Sequence, residues 1–100
     1  MKNTEKSNKI LKAYHAYLKL EKSLSSNTIN AYFSDLNKLL VFFDEEQIDF
    51  LDATLEKLET FIAQLKDLNI CPRTQARIIS SIRSFYHFLL IEDYLPTDPT

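Results

Sequence analysis

Apolar side chains recur along this chain at spacings of three and four, separated by polar stretches, and that period predicts four helices and no strands. The first covers about Ser7 to Glu21, with Ile10, Leu11, Tyr14, Tyr17 and Leu18 on one face and lysines between them. In "SLSSNTINAYFSDLNKLLVFF", Ser25, Ser26 and Asn27 are N-cap candidates for a second helix. Its apolar stripe is Ile29, Tyr32, Phe33, Leu36, Leu39, Leu40 and Phe43, and Asn27, Asn30, Ser34, Asn37 and Lys38 lie opposite. The stretch "DEEQIDFLDA" breaks the pattern with clustered acids and reads as a loop whose Ile48, Phe50 and Leu51 tuck beneath the bundle. A third helix is predicted from about Leu55 to Leu68, capped by Thr54 or Asp52. The chain has no glycine, which leaves Asn69 as the best residue for the left-handed position ending that helix. Pro72 suits the first turn of a fourth helix reaching about Asp93, since its missing N–H has no intrahelical partner there anyway. Cys71 then falls at an N-cap that serine would fill better. Short connections between these segments favour an all-α bundle of neighbouring helices.

Composition narrows the class. One hundred residues, 45% hydrophobic and 26% charged, can bury a core as a single domain without metal or disulfide staples. The longest apolar run, Leu39 to Phe43, is five residues, far too short to span a bilayer, so no membrane partner is expected. The opening "MKNTEKSNKI" lacks the apolar core of a secretory signal, and a cytoplasmic location is expected. Cys71 is the single cysteine and has no partner for an intramolecular bridge or a zinc knuckle, and His15 and His87 read as surface or boundary residues. No metal cluster, phosphate loop or nucleophile triad is visible, so no metal, no cofactor and no autonomous enzyme is expected.

Charge changes the picture more. The formal net charge is -2, yet residues 1–43 sum to +4, 44–68 to -6, 69–91 to +3 and 92–100 to -3. A polyanion meets the local face and not the total, so net acidity does not exclude one. The run "PRTQARIISSIRSFYHFLL", Pro72 to Leu90, contains three arginines and no acid. Stepped at 100° per residue, Arg73, Arg77, Ser80, Ser81 and Ser84 fall within a sector of about 100°, with Thr74 at the edge. Arginine forks and small hydroxyls on one face can approach a phosphate backbone closely. The polar face of the second helix is similarly poor in acids. Beyond Ser84 the same stripe passes into Phe88 and Ile91, an apolar end that could instead dock a partner chain together with the first helix.

Two blocks carry a resemblance. "YLKLEKSLSSNTINAYFSDLNKLLVFF" and "ICPRTQARIISSIRSFYHFLLIEDYLPTDPT" resemble the N-terminal, core-binding (SAM-like) domain of tyrosine recombinases of the XerC/XerD type, in the phage-integrase family. The likeness spans Tyr14 to Thr100 and is most specific from Pro72 to Leu90, with "LEKSLSSNT" the second strong match. It implies a compact four-helix orthogonal bundle over residues 1–95, with 96–100 beginning a linker to a separate C-terminal catalytic domain. It further implies that the second and fourth helices lie against the major groove of duplex DNA, while that other domain cuts and rejoins strands through a phosphotyrosine. Carried onto this chain, the DNA-facing positions are Asn27, Thr28, Asn30, Ser34 and Lys38 with Arg73, Thr74, Arg77, Ser80, Ser81 and Ser84. Other recombinase protomers in a synaptic complex are the implied protein partners.

The sequence also departs from the family pattern. Phe33 and Ser34 stand where relatives often carry arginine, and Asn69 and Cys71 replace a common glycine and serine. Neither histidine sits in an H-x-x-R arrangement, and none of the five tyrosines can be nominated as nucleophile, so the chain by itself is expected to lack catalysis. The expected function is DNA binding for site-specific recombination, with Arg73 and Arg77 carrying most of the affinity. The alternative is a helical protein-interaction module.

Overall fold

A computed structural model describes residues 4–100, and side chains from Ser7 onward. Met1–Asn3, at the start of the opening segment that bears on targeting, lie outside the described residues. All regular structure among the described residues is helical: α1 (Thr4–Ala16), α2 (Ser26–Glu45), α3 (Leu55–Asp67) and α4 (Pro72–Ile91). Two short pieces join them, a π-helical turn at Tyr17–Glu21 and a 3-10 turn at Phe50–Asp52. The fold is the all-α arrangement expected.

The helix starts follow from local chemistry. The Ser25 hydroxyl accepts a hydrogen bond from the Thr28 N–H at 3.2 Å, and the Thr54 hydroxyl accepts from the Lys57 N–H at 3.3 Å, each satisfying an otherwise unpaired donor of the first turn. At α4, Pro72 occupies the first turn and Cys71 is the N-cap without any side-chain cap.

The helix ends share one device. With no glycine in the chain, left-handed backbone falls to Ser23, Gln47, Asn69 and Asp93, with φ between 54° and 61°. After α2, α3 and α4 this residue donates back three positions, as in Asn69 N–H to Lys66 C=O at 3.0 Å. The next N–H reaches back five: Ile48 to Phe43 at 2.8 Å, Ile70 to Leu65 at 3.3 Å and Tyr94 to Leu89 at 2.9 Å. These are Schellman closures, and the apolar residue after each turn, Ile48, Ile70 or Tyr94, packs against the core.

The first helix departs from the sequence expectation at its end. The spacing predicts a single continuous helix to Glu21, but past Ala16 the chain widens into the π-helical turn, which keeps Leu18 fully buried while leaving Leu20 exposed. Leu18 follows Ile10 and Tyr14 at spacings of four and faces the core with them, and Leu20 falls on the opposite side.

Helices α2 and α4 form the main packed pair, with α3 against α4 and the π-turn against α2. Tyr14 sits at the centre of an aromatic cluster, its ring 5.1 Å from Phe85, 5.3 Å from Phe88 and 5.6 Å from Phe33, and its hydroxyl donates to Ser84 Oγ at 2.9 Å. The loop expected to tuck under the bundle does so: Phe50 is buried, Ile48 and Leu51 are half-buried, and the Tyr86 hydroxyl donates to the Phe50 carbonyl at 2.8 Å. That bond fixes the loop to the underside of α4.

Candidate nucleic-acid interface

The contact that aligns α2 with α4 is an ion pair. Arg77 donates from Nε to Asp35 Oδ2 at 2.9 Å and from Nη2 to Oδ1 at 2.8 Å, a two-pronged fork. Ser81 Oγ lies 2.9 Å from Asp35 Oδ2 and 3.1 Å from the Arg77 carbonyl, its one proton shared between them. Asp35 is 0% exposed, whereas the Arg77 side chain is 48% exposed. The seam between the helices is therefore closed beneath by a carboxylate and open above as a guanidinium. The bonds and charge of Asp35 hold that guanidinium protonated beyond its ordinary range.

Helical spacing places the remaining polar residues on either side of the seam. Ser34 and Lys38 flank Asp35 within one turn of α2, Asn27 and Asn30 extend the row toward its N-terminus, and Asn30 and Lys38 are exposed to solvent with Ser34. On α4, Arg73 lies one turn before Arg77 and Ser80 one turn after it, both exposed, with Thr74 half-buried. Among the described residues Arg73 has no ion-pair or hydrogen-bond partner, so it presents a full unit of charge to solvent.

Three of the sequence-predicted positions are not on this open face. Ser81 is 1% exposed and holds the carboxylate. Ser84 is half-buried and accepts the Tyr14 proton. Thr28 is half-buried, with its N–H and hydroxyl both engaged by Ser25 in the α2 cap. Small hydroxyls let α4 lie close to α1 and α2, where they complete buried polar contacts. A sector of about 100° on a helical wheel cannot separate that role from an open one, because the sector's edge is where one helix meets the next.

Asp35 was missed by sequence reasoning, which counted it only as a charge. A signal was present. On 100° steps Asp35 falls about 40° from Leu39 at the edge of the α2 stripe, and Ser81 about 40° from Phe85 at the edge of the α4 stripe. A polar residue at the margin of each apolar face is the pattern of a buried pair.

The expected apolar docking end is also corrected. Phe88 is 1% exposed, packed at 5.3 Å from Tyr14, 5.1 Å from Tyr17 and 6.4 Å from Tyr94. The π-turn and the chain beyond α4 supply the partners that the isolated helix lacked, and Ile91 alone of the two stays open, at 51%.

Next to the face, an open groove of about 600 Å³ is lined by Tyr17, Lys22, Tyr32, Arg83 and His87 among others. Lys22 lies over the Tyr17 ring at 5.8 Å. Among the described residues Arg83 and His87 have no ion-pair partner. Asp98, at the rim, accepts instead from the Thr100 N–H and hydroxyl at 2.9 and 2.6 Å. Arg83, omitted from the sequence-predicted set because it lies off the main stripe, thus adds a cation beside it. No group of three or more His, Cys, Asp or Glu side chains among the described residues is placed to hold a metal. No helix among them is long and apolar enough to cross a membrane.

The comparisons with known proteins agree with this architecture. Residues 11–93 match the family model described as the phage integrase N-terminal SAM-like domain. Tyrosine recombinase XerC of Leptospira interrogans is 39% identical over 98 residues, covering 97% of this chain and 32% of that protein. Tyrosine recombinase XerD of Staphylococcus saprophyticus is 40% identical over 94 residues, covering 91% of this chain and 31% of that protein, and XerD of Staphylococcus haemolyticus is 38% identical over the same length. The chain thus spans about a third of the length of the curated relatives it matches. No solved structure matches it. With the family model covering most of the chain and an all-α fold whose helices start and stop where that block's residues require, the chain belongs to the phage integrase N-terminal SAM-like domain family.

Proposed function

We propose that this chain is the DNA-gripping part of a site-specific tyrosine recombinase, binding duplex DNA across the seam of α2 and α4. The observation that carries the reading is that seam: Asn27, Asn30, Ser34 and Lys38 on one side, Arg73 and Ser80 on the other, and the outward guanidinium of Arg77 between them. Among the described residues the acid at the seam, Asp35, is buried, so the surface offered to a phosphate backbone is donors and cations. Arg83 and Lys22 in the adjoining groove extend it along a backbone. Ser81, Ser84 and Thr28 serve the same face indirectly by fixing the helices and the cap. Cleavage and rejoining belong, in this reading, to a separate C-terminal catalytic domain reached through a linker that begins at residues 96–100, and other recombinase protomers to the partners of the whole.

The test is an amide NMR titration of the chain with a short duplex at low salt, repeated at higher salt. Affinity should lie near the non-specific range, about 10⁻⁴ to 10⁻⁶ M, and weaken as salt rises because phosphate contacts release counterions. Salt-reversible shifts concentrated at Asn27, Asn30, Ser34, Lys38, Arg73 and Ser80 are expected. A folded chain whose spectrum does not move at low salt refutes the reading.

A further inference from the structure

We propose that Asp35 is a specificity-setting positioning residue, which cancels the charge of Arg77 and locks its guanidinium so that Arg77 meets DNA as a directed donor and not as a free cation. This inference rests on the DNA reading above. Its basis is the contrast between two arginines one turn apart on the same face. Arg73 is exposed and without a partner among the described residues, and its charge is free to neutralise a phosphate. Arg77 is held by two hydrogen bonds to a carboxylate that is 0% exposed, and Ser81 fixes the same carboxylate from the other side.

Protons and charges decide what the pair can do. A guanidinium has five N–H donors, and Asp35 takes one from Nε and one from Nη2. Three remain, in a plane whose orientation the fork has already set, on a side chain that is 48% exposed. Together Arg77 and Asp35 carry no net charge, so docking the pair against DNA releases little condensed counterion. What the pair offers is direction. A donor fork with fixed orientation favours the acceptor that fits it, a guanine edge or one phosphate oxygen at one register, and gives little to any other. An unheld arginine would add affinity everywhere and preference nowhere.

A purely structural ion pair between α2 and α4 makes a different prediction. Removing it would lower stability and leave the salt dependence of DNA binding where it was. The experiment is therefore a salt series of duplex binding for the whole chain, with fold checked by circular dichroism, and a parallel selection of bound sequences from a random-sequence duplex pool.

Asp35→Asn keeps the size of the side chain but frees Arg77 and its charge. The slope of log K against log salt should steepen by about 0.9, the value of one added phosphate contact, while sequence enrichment from the pool flattens. Asp35→Leu with Arg77→Leu removes the pair at constant net charge and with apolar packing, and tests the same point if the single variant does not fold. Its slope should match the parent's while enrichment is lost.

A folded Asp35→Asn with the parent's slope overturns the proposal, as does a double variant whose slope is shallower by about 0.9, which would make Arg77 an ordinary phosphate cation. Arg73→Ala is the control that separates DNA binding as such from the role of Asp35. It should flatten the slope by about 0.9 whether or not Asp35 directs Arg77. A parent that binds no duplex at low salt overturns the DNA reading and this proposal with it.

Discussion

Two buried phenols show how single side chains divide their work between packing and polarity. Tyr14 and Tyr86 each bury a ring in the core and hand their hydroxyl proton to one acceptor, Ser84 Oγ and the Phe50 carbonyl. Burial disfavours the phenolate in both cases, pushing Tyr14 up to about 12 and raising Tyr86 as well. Because the folded values lie above the unfolded value near 10, the stabilisation is complete below pH 10. It is lost as pH climbs from there toward about 12 for Tyr14, the unfolded state shedding the proton first. Each such tyrosine should cost about 1.4 kcal/mol of stability per pH unit in that window. Urea midpoints measured at steps from about pH 9 to 11 should fall steeply, and Tyr14→Phe should reduce the steepness by roughly half. A midpoint flat across that range would mean the phenols ionise without unfolding.

At the scale of helices, the ends are governed by what the chain lacks. Without glycine, the left-handed closing position goes to Asn69 after α3, as its sequence context predicts, but also to Gln47 and Asp93, which nothing local singles out. There the closure is enforced by the next residue: Ile48 and Tyr94 must turn inward to the core, and the Schellman bond is the short way to do it. The start of α4 is the weak point, because Cys71 stands at the N-cap and makes no side-chain bond. Cys71→Ser should stabilise the chain by about 1 kcal/mol, since a serine hydroxyl can accept from the Thr74 N–H and the exposed thiol contributes no packing. Chemical denaturation under reducing conditions measures it. An unchanged midpoint would show that those first-turn donors are already satisfied.

For the molecule as a whole, the distribution of charge matters more than its total. The formal net charge is -2, with the acids concentrated in residues 44–68 and 92–100. Folding buries Asp35 under Arg77 and leaves Lys38 and Arg73 exposed to either side of the seam, so an acidic protein offers exposed cations there. Arg73→Ala combined with Lys38→Ala should weaken duplex binding and flatten its salt dependence by about 0.9 for each phosphate no longer neutralised, with no change in fold. Fluorescence anisotropy over a salt series checks it, and a slope equal to the parent's would remove these two residues from the interface. Arg77→Ala is a poorer probe. It strands a buried carboxylate, and the resulting drop in stability would be mistaken for weaker DNA binding.

Much of this protein could be read from one line of residues. Helix number, a cap among Ser25, Ser26 and Asn27 and another at Thr54 or Asp52, the left-handed Asn69, the tucked Phe50 loop and the cationic character of α4 are all local properties, set by spacing and by which side chains can cap or turn a helix. What the sequence could not determine is which polar residues of an amphipathic face stay in water. Ser81 and Asp35 lie about 40° from the edges of their apolar stripes, and Ser84 about 40° from Phe88, where a small change in how two helices meet moves a side chain from solvent to seam. Phe88 reversed for the same reason, its covering partners Tyr17 and Tyr94 coming from outside its own helix. Only tertiary packing decided these, because burial at a helix margin depends on the neighbour that arrives there and not on the residue itself.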